Sequence, residues 1–450
     1  MRLPAVTLGT AVAVLGMASP ALGQGLMFNA RAASMAGASL TLGGSVQRYN
    51  PAYRAIPRHQ IPGQSKITIP GPIGLIQFLE QHPISRLSSD PMFNPDSAGF
   101  NPIALVDLIL NPPIFYELRP APLPNNDVAF GIGKDSLSVN LGATQHIIPA
   151  DEFGIAGSSR PLDIEPSFHG FHAGIMMWLH DEVRFQLNDS LLAFLKEGHP
   201  AEHNTVYGIQ DSAIAEGGVA PSIGYSGRIY GDDNRGLYFG VSAHYYIGAV
   251  YGTSVGFAGI TTGDTIFAGP NPVTPSVNDV TGYSRWGNRA GHGYGGDVGF
   301  AWVSGPLVIG FGVSDIGATI TWPDTRIDSQ RYDTTANRIS TYSSVIHVES
   351  KTKLPTSYLA NLIYNLDGTT IGADVLDNGL GTTLHVGVEQ RIGILALRGG
   401  IGRDERKLVQ FGAGVGIRIG PMSLDAGVGT HSNALSDQRG MLLATSLSIY

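Results

Sequence analysis

Hydrophobic residues recur at every second position along much of the chain. From Leu408 to Ile419, Val409, Phe411, Ala413, Val415, Ile417 and Ile419 share one side of an extended strand; Leu408, Gln410, Gly412, Gly414, Gly416 and Arg418 share the other. Leu384, Val386, Val388 and Ile392 alternate in the same way with Thr383, His385, Gly387, Glu389 and Arg391. So do Leu237, Phe239, Val241, Ala243, Tyr245 and Ile247 with Tyr238, Gly240, Ser242, His244 and Tyr246. In each stretch one face is oily and the other small or polar, which predicts β-strands. A soluble sandwich alternates too, so the spacing of turns has to discriminate.

The pattern predicts strands at 64–69, 127–133, 136–148, 166–178, 182–187, 218–230, 236–250, 293–304, 307–319, 354–366, 369–376, 381–391, 394–401, 407–419, 421–428 and 440–450. Their connections are tight at Lys134-Asp135, His180-Asp181, Gly231 to Arg235, Gly305-Pro306, Asp367-Gly368, Gly393 and Gly420-Pro421. They are long at 149–165, 188–217, 251–292 and 320–353. Short turns at one end and long loops at the other predict an all-β fold: a transmembrane antiparallel β-barrel of about 14–16 strands, long loops outside. In the terminal strand, Met441, Leu443, Leu447 and Ile449 are out of phase with the aromatic Tyr450, which reads as a bulge or a looser insertion signal.

Composition sharpens this picture. Charged residues are 14% and Gly 60 of 450, against about 25% and 7% in ordinary soluble proteins. A net charge of −8 argues against nucleic acid, because counterion release rewards pooled positive charge. With no Cys, disulfides, thiolate metal sites and Cys nucleophiles are excluded. Residues 1–23 carry Arg2, an apolar stretch and small residues ending Ala21-Leu22-Gly23, as a cleaved secretory signal does. No later run of apolar residues is long enough for a membrane helix. The expected location is the outer membrane, in contact with its lipid.

The expected layout is signal 1–23, an N-terminal plug 24–62 and a barrel 63–450. The plug region contains Ala33 to Ala38 (ASMAGA) and Tyr49 to Ala52 (YNPA). With these elements the chain resembles the FadL superfamily of outer-membrane barrels, in which a small-residue stretch and an NPA element form a plug. The resemblance implies that Asn50, Pro51 and Ala52 belong to a gating element and that hydrophobic or amphipathic small molecules are taken up. The C-terminal part, from about Leu354 to Tyr450, is similar to PorV and TraF-like barrels through Gly387-Val388-Glu389, Leu397-Arg398-Gly399-Gly400 and Phe411 to Gly416. That likeness implies the alternative role, docking for secretion or conjugation machinery.

Charge on a lipid-facing position costs roughly 2–4 kcal/mol at the membrane midplane, so Asp297, Asp374, Glu389, Arg391, Arg398, Arg418 and Asp425 should face the lumen. They form either an ion-pair network holding plug to wall (Asp297, Asp374, Glu389 and Asp425 as its acids) or a polar lining. In the second case Arg391, Arg398 or Arg418 would meet a ligand carboxylate through a guanidinium fork. Two loops are unexpectedly apolar: Pro102 to Leu118, and Ser190 to Glu197, which reads as a short helix. Leu191, Leu192, Phe194 and Leu195 are the candidate ligand-capturing residues there, or else the cap of a loop. His199-x3-His203 is interrupted by Gly198 and Pro200, and Gly412-x-Gly414-x-Gly416 lies in a strand, so neither a zinc site nor a dinucleotide loop is expected. No enzymatic activity, metal or cofactor is expected.

Overall fold

The computed structural model of the chain describes residues 30–38, 49–57, 67–70, 114–117, 129–133, 135–141, 148, 153–266, 273–284, 290–333, 335, 338–377, 379, 381–403, 409–432 and 440–449. In chain order its strands begin with β1 (Ile67–Pro70), β2 (Ile114–Glu117), β3 (Ala129–Gly133), β4 (Ser136–Asn140), β5 (Phe153–Ile164), β6 (Ser167–Phe168) and β7 (Phe171–Leu187). They continue with β8 (Val206–Gly231), β9 (Arg235–Thr262), β10 (Val273–Ser284), β11 (Gly291–Ser304), β12 (Leu307–Asp333) and β13 (Arg338–Lys353). The last seven are β14 (Ser357–Leu366), β15 (Thr369–Asp377), β16 (Thr382–Ile392), β17 (Leu395–Arg403), β18 (Val409–Ile419), β19 (Met422–Ser432) and β20 (Gly440–Ile449).

Several of these strands share one column of the wall. β1 and β2 lie end to end along β20, β10 leads into β11 between β9 and β12, and β13 leads into β14 along β12. Among the described residues the antiparallel ladder then runs through fourteen columns: β1/β2, β20, β19, β18, β17, β16, β15, β13/β14, β12, β10/β11, β9, β8, β7 and β5/β6. Fourteen is even, so the first and last columns run in opposite directions, as closure of an antiparallel barrel requires. β3 and β4 pair with each other in a separate hairpin.

The alternation read from the sequence sets the two faces. Val415, Ile417, Leu384, Val386, Val388, Leu237 and Val241 are exposed on the outside. Across the ladder, Leu237, Trp302 and Ile309 form one outward row, and Phe239, Phe300 and Phe311 form the next. The belt ends at Tyr245 and Tyr294, whose rings lie 5.0 Å apart. From Leu237 to Tyr245 is eight residues, roughly 27 Å along a strand rising about 3.3 Å per residue, which on a tilted strand approaches the height of the apolar band of an outer-membrane barrel. In hydrocarbon every backbone N–H and C=O needs a partner, which the continuous ladder supplies.

The sequence reading misplaced several boundaries. The tight turn expected at His180-Asp181 does not form; both residues lie within β7. The hairpin instead turns at His169 and Gly170, with φ of 50° and 85°, the left-handed pair that a two-residue type I′ loop requires. The expected loop 149–165 contains β5, and β8 begins at Val206 inside the expected loop 188–217. The expected loops 251–292 and 320–353 contain the end of β9, all of β10, the end of β12 and all of β13. The expected wall strands 127–133 and 136–148 correspond to the separate β3–β4 hairpin. Of the apolar stretch Pro102 to Leu118, only Ile114–Glu117 is described, and it is a strand against β20. β20 pairs with β19 without a register break, so the terminal strand carries no bulge over 440–449.

The wall is therefore uneven in height. β15 to β18 are 9–11 residues long, about what crossing a bilayer takes. β8, β9 and β12 have 26, 28 and 27 residues and rise well beyond the membrane on the long-loop side. Residues such as those of β13, RISTYSSVIHVESKTK, alternate without contrast because water lies on both faces there. On the inner face of this extension Asp211 and Asp279 both stand opposite Gly256. Burial pushes both carboxyls above the usual carboxylate range, and the Asp279 charge pushes Asp211 further.

Two outcomes follow from this layout. Phe239→Arg, on the lipid face, should cost about 2–4 kcal/mol in urea unfolding of the barrel in vesicles. For the extension, an acid whose folded pKa is raised destabilises the fold where it is ionised and ceases to do so as pH falls through that pKa. Asp279→Asn should slow proteolysis of the extension on intact cells at neutral pH and flatten the difference between neutral and mildly acidic pH.

Candidate functional site

Two described N-terminal segments, 30–38 and 49–57, lie on the inward face of the wall. Residues 30–38 begin with a single helical turn, α1 (Ala30–Ala33), and all are buried. They lie on the inner face of β16 to β20, where Gly387, Gly400, Gly402, Gly412, Gly414 and Gly427 stand among polar and charged inward residues. A Cβ added at Gly400 would lie 2.3 Å from the Met35 carbonyl oxygen, one at Gly412 2.4 Å from the Ala36 nitrogen, and one at Gly427 2.3 Å from the Ala30 carbonyl oxygen. Such distances leave no room for a side chain, so segment and wall meet backbone to backbone. Alanine and serine on the segment serve the same fit: Ala30 and Ala33 pack on Ala444.

Residues 49–57 occupy a second seat, on β8 to β14. Asn50 caps the short 3-10 turn Pro51–Arg54, its Oδ1 accepting from the Ala52 nitrogen at 3.0 Å. Its amide nitrogen donates to the Phe300 and Phe311 carbonyls at 3.0 and 3.2 Å, tying the turn to β11 and β12. The hydroxyls of Ser226 and Ser314 donate to the Pro51 and Tyr49 carbonyls at 2.7 and 3.2 Å, and Asn361 donates to the Tyr53 hydroxyl at 2.7 Å. Glycine again permits the approach: a Cβ at Gly312 would lie 2.1 Å from the Tyr49 carbonyl oxygen. The two seats lie on opposite stretches of the wall.

Each seat has its own charged lock. In the first, Arg31 forks onto Glu389 at 2.8 and 2.9 Å. Glu389 also accepts from Arg398 Nε at 2.6 Å and Arg391 Nε at 2.8 Å, and Arg398 reaches Asp425 at 2.8 Å. The wall residues alone balance, two guanidiniums against two carboxylates; Arg31 adds a third cation. In the second seat Arg54 pairs with Glu165, which His172 also approaches at 3.2 Å and to which Ser222 donates. Removing Arg54 there leaves a buried wall carboxylate without its guanidinium.

The residues expected to face the lumen are placed as follows. Asp297, Asp374, Glu389, Arg398 and Asp425 are buried on the inward face. Glu389, Arg391, Arg398 and Asp425 form one cluster; Asp374 lies apart, 2.7 Å from His385 Nδ1, and Asp297 lies near the second seat, paired with Arg160 and His244. Arg418 stands at the short-turn end of β18, its Nε donating to the Gly420 carbonyl at 3.4 Å. Leu191, Leu192, Phe194 and Leu195 belong to α2 (Asp189–Lys196), the expected short helix on the long-loop side, where all four are half-buried. Phe194 packs edge-on against Tyr207 at 5.7 Å, and Lys196 donates to the Ile148 carbonyl at 3.1 Å.

Sequence reasoning missed Arg31, Arg54, Arg160, Glu165, His172 and Asp315. Arg31 is the first basic residue after the signal, in a stretch otherwise mostly of small or apolar side chains, and that isolation was a usable signal; Arg54, close after Arg48, had none. Arg160 and Glu165 lay in what the pattern gave as a loop.

No protein-family model matches the chain, and no curated protein sequence does. Among solved structures, the toluene transporter TodX of P. putida is similar at 11% identity and a TM-score of 0.34, covering 66% of this chain and 80% of that one. A FadL homologue of Pseudomonas aeruginosa is similar at 14% identity and a TM-score of 0.34, covering 62% and 77%. The monoaromatic hydrocarbon channel CymD is similar at 10% identity and a TM-score of 0.31, covering 71% and 95%.

The charge count at Glu389 makes an asymmetric prediction. Glu389→Gln leaves three guanidiniums facing Asp425 and should cost about 3–5 kcal/mol, the usual penalty for stranding a buried charge. Arg31→Ala leaves the wall balanced and should cost less than half as much in the same urea titration.

Proposed function

We propose that this chain is an outer-membrane channel that admits hydrophobic or amphipathic small molecules. Residues 24–62 act as its plug and α2 collects ligand at the outer mouth. The observation that supports this most is the way the N-terminal segments are held: inside the wall, backbone laid directly on glycine, with a charged lock at each seat and an apolar cluster in which Met35, Tyr49, Tyr53 and Ile56 pack with Tyr238, Val308, Leu359 and Ile363. The stretch 30–38 lies on Gly400, Gly412 and Gly427 mainly through Ala and Ser, so its departure repacks little beyond Met35, whereas Tyr49, Tyr53 and Ile56 anchor the second segment more firmly. When Arg31 leaves, the wall of the first seat remains electrically balanced, so that seat is the natural one to open.

The outer features fit the same reading. α2 presents Leu191, Leu192, Phe194 and Leu195 without fully burying any of them, beside the tall wall that rises over the mouth. Exposed apolar surface in that position favours the partition of an oily ligand out of water. Arg391, Arg398 and Arg418 then take the role of carboxylate partners once the segment 30–38 is displaced, Arg391 being the one of the Glu389 cluster that keeps partial exposure.

Replacing Leu191, Leu192, Phe194 and Leu195 together by Ser should reduce uptake of a radiolabelled long-chain carboxylic acid by whole cells several-fold, with the barrel still folded by its heat-modifiable mobility. Uptake equal to wild type would reject the capture role.

A further inference from the structure

We infer that Arg160 forms a second constriction, carried by the wall and independent of the plug, that limits the girth of what passes; this rests on the uptake reading above. Its guanidinium donates to both carboxylate oxygens of Asp297 on β11, at 2.7 and 3.0 Å, and to Asp315 on β12 at 2.9 Å. Yet Arg160 belongs to β5, four columns from β11 and five from β12. A circular barrel of fourteen strands spaced about 4.8 Å and tilted about 40° has a backbone radius of roughly 14 Å. Columns four apart then face each other across roughly 22 Å. An extended arginine, an aspartate and the hydrogen bond between them reach roughly 13 Å from Cα to Cα.

The difference has to come from the wall. The ladder between β5 and β7 slips between Ser159 and Leu162, on either side of Arg160. On the opposite side Asp315 adopts a φ of 56°, and its backbone nitrogen donates to Asp297 at 2.9 Å. Two irregularities thus bring β5 and β11/β12 together where the ion pairs form. His244 Nε2, 2.8 Å from Asp297, and the Tyr246 hydroxyl, which donates to Asp315, fix the acceptors.

The height of this bridge gives it its role. Asp297 is the next inward residue on β11 beyond Gly299, against which Asn50 sits, and Asp315 follows Ser314, which holds Tyr49. On the side away from the plug lies an apolar cluster of Met176, Trp178, Tyr246, Ile320 and Trp322. These side chains are buried against one another, so a molecule that parts them on its way inward meets the Arg160 bridge before it meets residues 49–54. Slender chains pass beside a bridge of one side chain; broad ones require it to open.

The test compares a linear hydrocarbon with a fused-ring hydrocarbon of similar hydrophobicity, using the full chain in vesicles. Arg160→Ala should raise uptake of the fused-ring compound several-fold more than that of the linear one, and Arg160→Lys, which keeps the charge, should stay near wild type. An unchanged ratio in a folded Arg160→Ala barrel overturns the proposal. Should Arg160→Ala fail to fold, the same ratio is read in Asp315→Asn, which releases one end of the bridge; no change there also overturns it. If the wild type takes up neither compound, the uptake reading fails by itself. Single-channel conductance then decides on the constriction: an increase in Arg160→Ala upholds it and no increase rejects it.

Discussion

The structure rests on a backbone constraint. In hydrocarbon each peptide group must be paired within the protein, so the wall is a ladder whose side chains have only two directions to go. Lipid claims one of them for Val, Ile, Leu, Phe and Tyr. What stands on the other face is then free to serve the interior, and this chain places glycine there over long stretches. Glycine in strands is usually a weakness; here the lost side-chain packing is replaced by direct contact with a second backbone, that of residues 30–38 and 49–53.

Charge follows from the same arrangement. An ion inside a membrane barrel has to turn inward and find a counter-ion, and the inward acids do so in separate groups. Glu389 and Asp425 are matched by Arg391 and Arg398 before Arg31 arrives. Glu165 depends on Arg54, with His172 and Ser222 beside it. The two seats of the N-terminal chain therefore differ in how firmly electrostatics holds them, although both are lined with glycine.

The tall side of the barrel adds a third element. β8, β9 and β12 leave the membrane and continue as an open sheet, and at their base Arg160 crosses to Asp297 and Asp315. That crossing needs a slipped strand on one side and a left-handed residue on the other, both departures from regular pairing. Register shifts recur along β5 to β13, whereas β14 to β20 pair without one, and this separates the two parts of the wall.

The sequence by itself determined which face of each wall strand meets lipid, because alternation is a local property and a membrane enforces it without exception at the belt. It also gave α2, through its run of leucines after Asn188, and the Asn-Pro-Ala turn. It marked Glu389, Arg398 and Asp425 as lumen charges, since no other direction was open to them. Tertiary structure decided the rest. The extension above the membrane was illegible because its strands have water on both sides and lose their contrast. The His169-Gly170 turn was missed because the pattern from 166 to 178 reads as a single strand running through it. Arg31 with Glu389 and Arg160 with Asp297 join residues 358 and 137 positions apart; the first pair needs the N-terminal segment laid on the inner face, the second a wall drawn in across the lumen, and neither is a local property of the chain.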